Sequence, residues 1–250
     1  HHFAPTWLNF FFLASEGVPA NRIHVVGNTI VDVVQRFKHR IGESNVMERF
    51  DLEGSRPFIL LTAHRPENVD YRENLECLVE ILSLLRDVTV VFPVHPRTRR
   101  RLEEFNLIRR LEELPKLRLV EPLPYFDFLR LLAEAALVLT DSGGVQEEAA
   151  ILGRLTLTLR NTTPRWETVL AGINFLVGIR NPKLVAEASR FILSRKELRA
   201  RATGASKLFG DGRAGERIAG LLLKLKAEGE LEYPSPPMPE FPWRRFLHQS

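Results

Sequence analysis

The sequence predicts an α/β protein of the doubly wound class, built on a mostly parallel sheet. From residue 57 onward, short and almost entirely apolar runs alternate with longer amphipathic stretches. Parallel strands are covered on both faces and need apolar side chains on both sides, whereas a helix buries a single stripe. Alternation at this spacing is typical of βαβ units. The 250 residues suffice for one large domain, or one domain with part of another.

Each predicted element follows from its own pattern. The apolar runs that predict strands are "PFILLT" (57–62), "VTVVFPV" (88–94), "LRLV" (117–120), "ALVLT" (136–140) and "LTLTL" (155–159). The amphipathic stretches that predict helices are 74–86, 98–108, 125–135, 145–153, 182–194 and 215–229. "RIHVVGNTIVD" (22–32) predicts one more short strand, a turn and the start of a helix, so we expect a boundary between two lobes near residues 27–55. The tail 233–245 contains five prolines and is expected to be a strap or a mobile end.

The overall composition narrows the classes of partner. The 35 basic and 31 acidic residues give a net charge of +4, which is too small to indicate nucleic acid but suits an anionic small molecule. Every apolar stretch is too short to span a membrane. The single cysteine, Cys77, excludes an internal disulfide framework and fits a reducing cytosol; we expect a buried, unreactive thiol in a cytoplasmic protein. The chain begins without a Met or a signal-peptide pattern and reads there like mid-domain sequence.

Ligands of open α/β sheets bind outside the carboxyl ends of the strands, so the residues that follow each strand are candidates. His64 and Arg65 follow strand 57–62 and could both meet a phosphate, or only decorate a loop. His95 follows strand 88–94 and precedes a group of arginines, for which a solvated helix face is the simplest reading. Phe128, near the start of helix 125–135, could cover a nucleotide base, with core packing as the alternative.

The segment "TDSGGVQEEA" (140–149) is the richest in chemistry. Gly143 and Gly144 allow the backbone to approach an anion, and a helix N-terminus supplies free N–H groups. Ser142 can cap the helix or bind a phosphate oxygen. Glu148, one turn further on, would repel a phosphate but would accept hydrogen bonds from a ribose diol, so the segment predicts a nucleotide-sugar site. Glu147 lies about 100° round the helix from Glu148 and is expected to face elsewhere.

A second polar segment, "RNTTPRWETV" (160–169), follows strand 155–159. Arg160, Arg165 and the threonine hydroxyls before a helix suit a second phosphate or a sugar. Thr163 is also expected to be the helix N-cap, with Pro164 at the first helical position. The seven histidines are scattered without metal-binding spacing, so no metal site is predicted.

Together these motifs resemble the non-hydrolysing bacterial UDP-N-acetylglucosamine 2-epimerases over nearly all of residues 2–222. The blocks that carry the resemblance, in order, are "HFAPT", "EGVP…RIHVVGNTIVD", "LLTAHRPEN", "FPVHP", "LPY", "LTDSGGVQEEA…LG", "LRNTTPRWETVLAG" and "GDGRAGERIA". The resemblance implies the two-lobed GT-B architecture, here a Rossmann-like C-terminal lobe with a remnant of the N-terminal lobe. The predicted division is 1–30 for the end of the N-terminal lobe, 31–56 for the connection, 57–210 for the C-terminal lobe and 211–250 for a final helix and Pro-rich tail.

The resemblance also implies residue roles and a reaction. The implied roles are diphosphate binding for Ser142, Gly143 and Gly144, ribose binding for Glu148, uracil packing for Phe128, phosphate or sugar binding for Arg165, catalysis near the diphosphate for His64, and binding of a second, activating UDP-GlcNAc for Arg65 and His95. The implied reaction interconverts UDP-GlcNAc and UDP-ManNAc by elimination and re-addition of UDP, without cofactor or metal. It supplies cell-surface polysaccharide synthesis, and the family is commonly homodimeric.

Two departures limit what the chain is expected to do alone. The family's acidic residues for proton transfer lie in the N-terminal lobe, upstream of the sequence matched here, and Pro66 stands where many members carry arginine. We therefore expect the chain alone to bind UDP but to epimerise poorly. The alternatives are a GT-B glycosyltransferase, a hydrolysing relative that releases ManNAc and UDP, and a UDP-sugar-binding lobe without catalysis.

Overall fold

The structure, a computed structural model, describes residues 1–54 and 57–231, which form a two-stranded and a six-stranded sheet, both parallel. The strands are β1 (His2–Ala4), β2 (Ile23–Val25), β3 (Ile59–Thr62), β4 (Val90–Pro93), β5 (Leu117–Val120), β6 (Leu137–Thr140), β7 (Thr156–Thr158) and β8 (Asn174–Leu176). The helices up to β5 are α1 (Trp7–Ser15), α2 (Thr29–Arg36), α3 (Lys38–Gly42), α4 (Val46–Arg49), α5 (Pro66–Val69), α6 (Arg72–Leu84), α7 (Pro96–Glu104) and α8 (Ile108–Glu112). Those after β5 are α9 (Tyr125–Glu134), α10 (Gly143–Ile151), α11 (Trp166–Leu170), α12 (Pro182–Ser194), α13 (Lys196–Thr203) and α14 (Ala214–Ala227).

The order of the large sheet is β5-β4-β3-β6-β7-β8. The chain builds outward from β3 to β5, returns to place β6 on the other side of β3, and then builds outward again. This reversal creates a topological switch point between β3 and β6, where open α/β sheets bind their ligands. Thr62 and Thr140 pair in register at the carboxyl ends of these two strands, and their hydroxyl oxygens lie 2.6 Å apart.

Apolar burial on both faces of the central strands holds the sheet together. All four residues of β3 and all four of β6 are buried, as parallel strands under helices require. Helix α6 contributes Leu75, Leu78, Val79 and Leu82, which share one face because they lie three or four residues apart. Each fully buried aliphatic side chain of this kind stabilises the fold by about 1.5–3 kcal/mol.

The predicted α/β class with a parallel sheet is confirmed. Strand 117–120 has the predicted bounds, the other four predicted strands of the large sheet are shorter, and the short strand predicted within 22–32 is β2. Two strands were not predicted, β1 and β8, each of only three residues. The predicted helix 98–108 is two helices, α7 and α8, separated at Asn106, whose φ of 57° lies in the left-handed region and cannot continue a right-handed helix. The predicted tail 233–245 lies outside the described residues.

The N-terminal segment forms its own small parallel pair, with α1 between β1 and β2. Helix α2 then packs against α10 and α14. Asp32 of α2 accepts hydrogen bonds from the N–H groups of Ala214 (3.1 Å) and Gly215 (2.7 Å), and so satisfies the free donors at the start of α14. The predicted division of the chain at residues 30, 56 and 210 stays a prediction.

Two smaller expectations concern reactivity and membranes. Burial raises the pKa of the half-buried Cys77 thiol, which lowers its reactive thiolate fraction. Over residues 1–54 and 57–231, every helix falls short of the length and apolarity needed to cross a bilayer.

Candidate functional site

The switch point is organised by a buried carboxylate that the sequence analysis did not single out. Asp141, fully buried directly after β6, accepts hydrogen bonds from the backbone N–H groups of His64 (3.0 Å) and Arg65 (2.9 Å). The Asn68 side-chain amide donates to the same carboxylate at 3.1 Å and also to the carbonyl of Leu159 at 3.0 Å. Asp141 therefore clamps the loop after β3 to the loop after β6. The available signal was an acidic residue immediately following a buried and mostly apolar strand.

His64 lies in this clamp as the sequence predicts, with His95 beside it. Its Nδ1 is 3.7 Å from Asp141 Oδ1, and the two histidine rings lie 5.4 Å apart between centroids at 33°. Burial lowers the pKa of His64; Asp141 opposes this shift, and the neighbouring His95 and Arg65 add to it. His64 is consequently neutral near pH 7, able to donate a hydrogen bond from one ring nitrogen and accept with the other. His95 Nδ1 accepts from the N–H of Arg97 at 3.1 Å, capping α7.

The arginines that follow His95 lie on a surface face of α7, as expected. Each of them pairs with a carboxylate, which compensates its charge. Arg97 pairs with Asp70, and Arg101 pairs with the same carboxylate at 3.2 Å. Arg99 pairs with Glu121 at 2.7 Å, and Arg100 pairs with Glu104 at 2.8 Å. The hydrogen bond from Arg97 lowers the pKa of Asp70, so this carboxylate stays ionised. This face therefore offers less free positive charge to a ligand than its sequence implies.

Helix α10 begins at Gly143, two residues earlier than predicted, so both glycines belong to its first turn. Ser142 occupies the N-cap position in an extended conformation, yet its side chain makes no capping hydrogen bond within the described structure. The first helical bond runs from Gln146 N–H to Ser142 O at 3.2 Å, which leaves the N–H groups ahead of it without a partner in the helix. A Cβ added to Gly144 would meet nothing nearer than Ser142 Oγ at 4.0 Å. Packing does not demand a glycine there, whereas close approach of an anion would.

Glu148 lies one turn into α10, beside the start of α9. Tyr125 OH donates a hydrogen bond to Glu148 Oε1 at 2.9 Å. Burial raises the pKa of Glu148, and the Tyr125 hydrogen bond opposes the shift. Phe128, on α9 and three residues after Tyr125, is half-buried and packs against the core. These positions place a carboxylate and an aromatic helix next to the glycine-rich start of α10.

Glu147 turns to a different side of α10 from Glu148, as expected, and makes structural contacts there. Its Oε1 is 2.6 Å from Arg165 Nε and accepts a hydrogen bond from Asn28 Nδ2 at 2.9 Å. Burial raises the pKa of Glu147, and Arg165 opposes the shift. Glu147 thereby joins α10 to the loop after β7 and to the N-terminal segment.

The expected N-cap at Thr163 is wrong. Helix α11 begins at Trp166, with Arg165 at the N-cap position. Thr163 is buried instead and donates from its hydroxyl to Gln146 Oε1 at 2.6 Å, while its Oγ1 accepts from Arg165 N–H at 3.0 Å. The bond to Gln146 is a tertiary contact with α10, and the bond from Arg165 holds this arginine next to Glu147.

A second buried tie joins the N-terminal segment to the same loop. Thr6 Oγ1 donates to Glu167 Oε1 at 2.9 Å, and both residues are buried. Arg160, predicted to serve a phosphate or sugar, forms an ion pair with Glu67 at 2.9 Å.

The predicted site residues form two adjoining groups in the structure. One surrounds α10 (Ser142, Gly143, Gly144, Glu148 and Arg165, with Phe128 on the adjacent α9), and the other surrounds Asp141 (His64, Arg65 and His95).

The fold is that of an α/β protein of the GT-B type, with the glycine-rich start of α10 and its neighbouring carboxylates at the switch point of the parallel sheet. Residues 1–223 match the protein-family model described as UDP-N-acetylglucosamine 2-epimerase. The chain belongs to this family, and the resemblance found in its sequence is confirmed.

Individual relatives support the same family assignment. The UDP-N-acetylglucosamine 2-epimerase of Methanocaldococcus jannaschii is 43% identical over 225 residues, which cover 88% of this chain and 60% of that protein. The enzyme of the same name from Escherichia coli K12 is 35% identical over 227 residues, covering 87% of this chain and 59% of that protein. The chain thus spans about 60% of the length of these curated relatives.

Solved structures give the same result. The crystal structure of the M. jannaschii UDP-GlcNAc 2-epimerase in complex with UDP-GlcNAc and UDP has a TM-score of 0.78 at 41% identity, covering 89% of this chain and 60% of that one. The Neisseria meningitidis UDP-GlcNAc 2-epimerase bound to UDP-GlcNAc has a TM-score of 0.78 at 31% identity, covering 89% and 61%.

Proposed function

We propose that the protein to which this chain belongs is a non-hydrolysing UDP-GlcNAc 2-epimerase, and that this chain supplies the seat for UDP. The observation that carries the proposal is the start of α10. It follows the buried strand β6 directly, leaves the Ser142 side chain without a capping bond, and places Glu148 one turn further on. Backbone N–H groups suit the diphosphate, and a carboxylate suits the ribose hydroxyls.

The remaining residues fit around this seat. Ser142, Gly143 and Gly144 would hold the diphosphate, while Phe128 would pack by the uracil. Arg165, kept in place through its Nε by Glu147, would direct its remaining N–H groups to the phosphates or the sugar. The roles of Arg65 and His95 would be to bind a second, activating UDP-GlcNAc.

The reaction is an elimination followed by the reverse addition. A base removes the C2 proton, the C2–H electron pair forms the C1=C2 bond, and the C1–O bond breaks with its electrons passing to the β-phosphate of UDP. UDP then adds back to C1 while a proton is delivered to the opposite face of C2, which gives UDP-ManNAc. This chain contributes stabilisation of the departing UDP through the α10 N–H groups, Arg165 and the neutral imidazole of His64. The base is expected in the N-terminal lobe, outside the residues matched here.

Three further properties follow from the family resemblance. We propose that the protein is cytoplasmic and homodimeric, and that its product supplies cell-surface polysaccharide synthesis. Each is independent of the UDP seat and can fail without affecting it.

The seat is tested by calorimetric titration of the chain with UDP. Glu148→Gln removes the charge that the ribose diol would contact, and we expect it to weaken UDP binding about tenfold or more, since one charge-assisted hydrogen bond contributes about 1.5–3 kcal/mol. Glu187→Gln, on the exposed side of α12, is the matched control and should leave binding unchanged. A wild-type chain that fails to bind UDP at millimolar concentration would refute the seat.

Incubation with UDP-GlcNAc alone separates the possible reactions. The natural full-length protein should form UDP-ManNAc without an acceptor, which a glycosyltransferase would need, and without the stoichiometric free UDP that a hydrolysing relative releases. The 250-residue chain should show little or no turnover. Sustained turnover by the purified chain would contradict the assignment of the base to the N-terminal lobe.

A further inference from the structure

A second polar pocket lies at the same edge of the large sheet, beyond β6. It has a volume of about 420 Å³ and is formed by the residues that follow β7 and β8 together with α5 and the start of α6. The residues proposed above for the UDP seat and for the activating nucleotide do not line it, whereas Arg160 and Thr162, which the sequence suggests for a phosphate or sugar, do. Its size falls within the range of small-molecule sites, roughly 300–1,000 Å³.

Two arginines line this pocket, and each is anchored through its Nε atom. Arg180 Nε donates to Asn74 Oδ1 at 3.0 Å, and Arg160 Nε lies 2.9 Å from Glu67 Oε1. Asn74 is itself buried and fixed, because its Nδ2 donates to the carbonyl of Glu67. With Nε bonded to Asn74, the outer N–H groups of the Arg180 guanidinium make no hydrogen bond within the described residues and remain available as donors.

The charges in the pocket do not cancel. Glu67 compensates Arg160, whereas Arg180 has no carboxylate partner in the part of the chain that the structure describes. The lining therefore retains one uncompensated positive charge. The planar N–H edge of a guanidinium matches the oxygens of a phosphate or carboxylate group.

The loops that form the wall are held in a fixed relation. Gly178 has a φ of 63°, and a Cβ at this position would lie only 2.6 Å from Asn161 Oδ1. The loop after β8 thus packs closely against the exposed Asn161 side chain of the loop after β7, and the positive φ favours glycine at this position. Asn68, buried on the opposite side, is held by its bonds to Asp141 and to the Leu159 carbonyl. The hydrogen bonds of Asn68 therefore fix one wall of the pocket.

We propose that this pocket binds a small phosphate-bearing ligand at a site separate from the UDP seat. The phosphate group binds the outer edge of Arg180, with Arg160 nearby. The remaining volume, lined by Asn68, Tyr71 and Thr162, accepts hydroxyl groups of a sugar-sized body. This function goes beyond the proposed epimerisation and does not depend on it.

Equilibrium dialysis of the chain against radiolabelled inorganic phosphate tests the proposal, with UDP present at saturation to fill the nucleotide seat. We expect phosphate binding to persist under these conditions. Arg180→Gln should weaken it at least about tenfold, as expected for loss of a charge-assisted contact. Arg195→Gln is the matched control, because Arg195 is exposed and lies over the Phe191 ring; it should leave phosphate binding within about twofold of the wild type.

The outcomes separate the two proposals. Loss of phosphate binding on addition of UDP would overturn this site, because the phosphate would then have occupied the nucleotide seat. An equal effect of Arg180→Gln and Arg195→Gln would also overturn it, as non-specific attraction to surface charge. Glucose 1-phosphate should displace the labelled phosphate and bind more tightly; failure to do so would refute the sugar-sized part of the site. If UDP itself does not bind, the seat fails, and the comparison of the two arginine variants still decides the phosphate site.

Discussion

Replacement of Asp141 by asparagine should destabilise the protein and loosen the loop that carries His64. Asp141 Oδ2 accepts from Arg65 N–H (2.9 Å), His64 N–H (3.0 Å) and the Asn68 amide (3.1 Å). Asparagine keeps the shape but places an NH₂ group opposite some of these donors. His64 N–H also reaches Oδ1 at 3.1 Å, so its bond can survive on the remaining oxygen.

The two bonds lost are those to Arg65 and Asn68. Each hydrogen bond to a charged group contributes about 1.5–3 kcal/mol, giving about 3–6 kcal/mol in sum. Neutralising a buried carboxylate recovers part of its desolvation cost, so we expect the lower end, about 3 kcal/mol. Against a typical total of about 5–15 kcal/mol, that loss is easily measured by urea denaturation.

The matched control is Asp87→Asn. Asp87 is an exposed carboxylate that pairs with Arg190 at 2.7 Å, and the hydrogen bond from Arg190 lowers the pKa of Asp87 to about 2. An exposed pair contributes at most about 1 kcal/mol, so this variant should be close to the wild type. A destabilisation below about 1 kcal/mol in Asp141→Asn would refute the view that Asp141 clamps the two loops.

Three further predictions follow from the same contacts. A double-mutant cycle of Asn28→Ala with Glu147→Ala, followed by urea denaturation, should give a coupling of about 1–2 kcal/mol, whereas Asn28→Ala with Glu148→Ala should give less than about 0.5 kcal/mol; equal couplings would contradict the tie. Burial lowers the pKa of His64 in the folded protein below 6.5, its ordinary value in the unfolded chain. Between these two pKa values the unfolded chain binds a proton that the folded protein does not, so the free energy of unfolding decreases as pH falls through this window to the folded pKa. The wild type should therefore lose more stability than His64→Gln between about pH 7 and about pH 5, measured by thermal unfolding, and parallel losses would refute this. Tyr125→Phe removes the hydrogen bond that opposes the raised pKa of Glu148, so this pKa should rise further. As pH is lowered, Glu148 should then become protonated, and UDP binding should weaken, at a higher pH than in the wild type. An unshifted pH profile of the UDP Kd would show that Tyr125 does not influence this carboxylate.

The sequence predicts those parts of the fold that depend on local pattern. Strands β3 and β6 are recognisable because parallel strands buried on both faces are almost entirely apolar. The residues after them are recognisable as site candidates because ligands bind at the carboxyl ends of such strands. The sequence does not show that β3 and β6 lie next to each other in the sheet. Two complete strand–helix units separate them in the chain, so their pairing depends on the order of the sheet rather than on any local signal. The role of Asp141, which requires that neighbourhood, could not be predicted without it.

Glu147 shows a second limit, in the reasoning from helical geometry. Adjacent residues on a helix point about 100° apart, so Glu147 and Glu148 do face different directions, as predicted. Helical geometry alone does not say which partners Glu147 meets. In the structure α10 lies between α9 on one side and α2 with the loop after β7 on the other. Glu148 thus meets Tyr125, while Glu147 meets Asn28, a residue 119 positions earlier in the chain. A half-buried carboxylate needs donors to offset its desolvation, and Asn28 and Arg165 supply them. The two glutamates consequently make different connections: Glu148 joins α10 to α9, and Glu147 joins α10 to the loop after β7 and to the N-terminal segment.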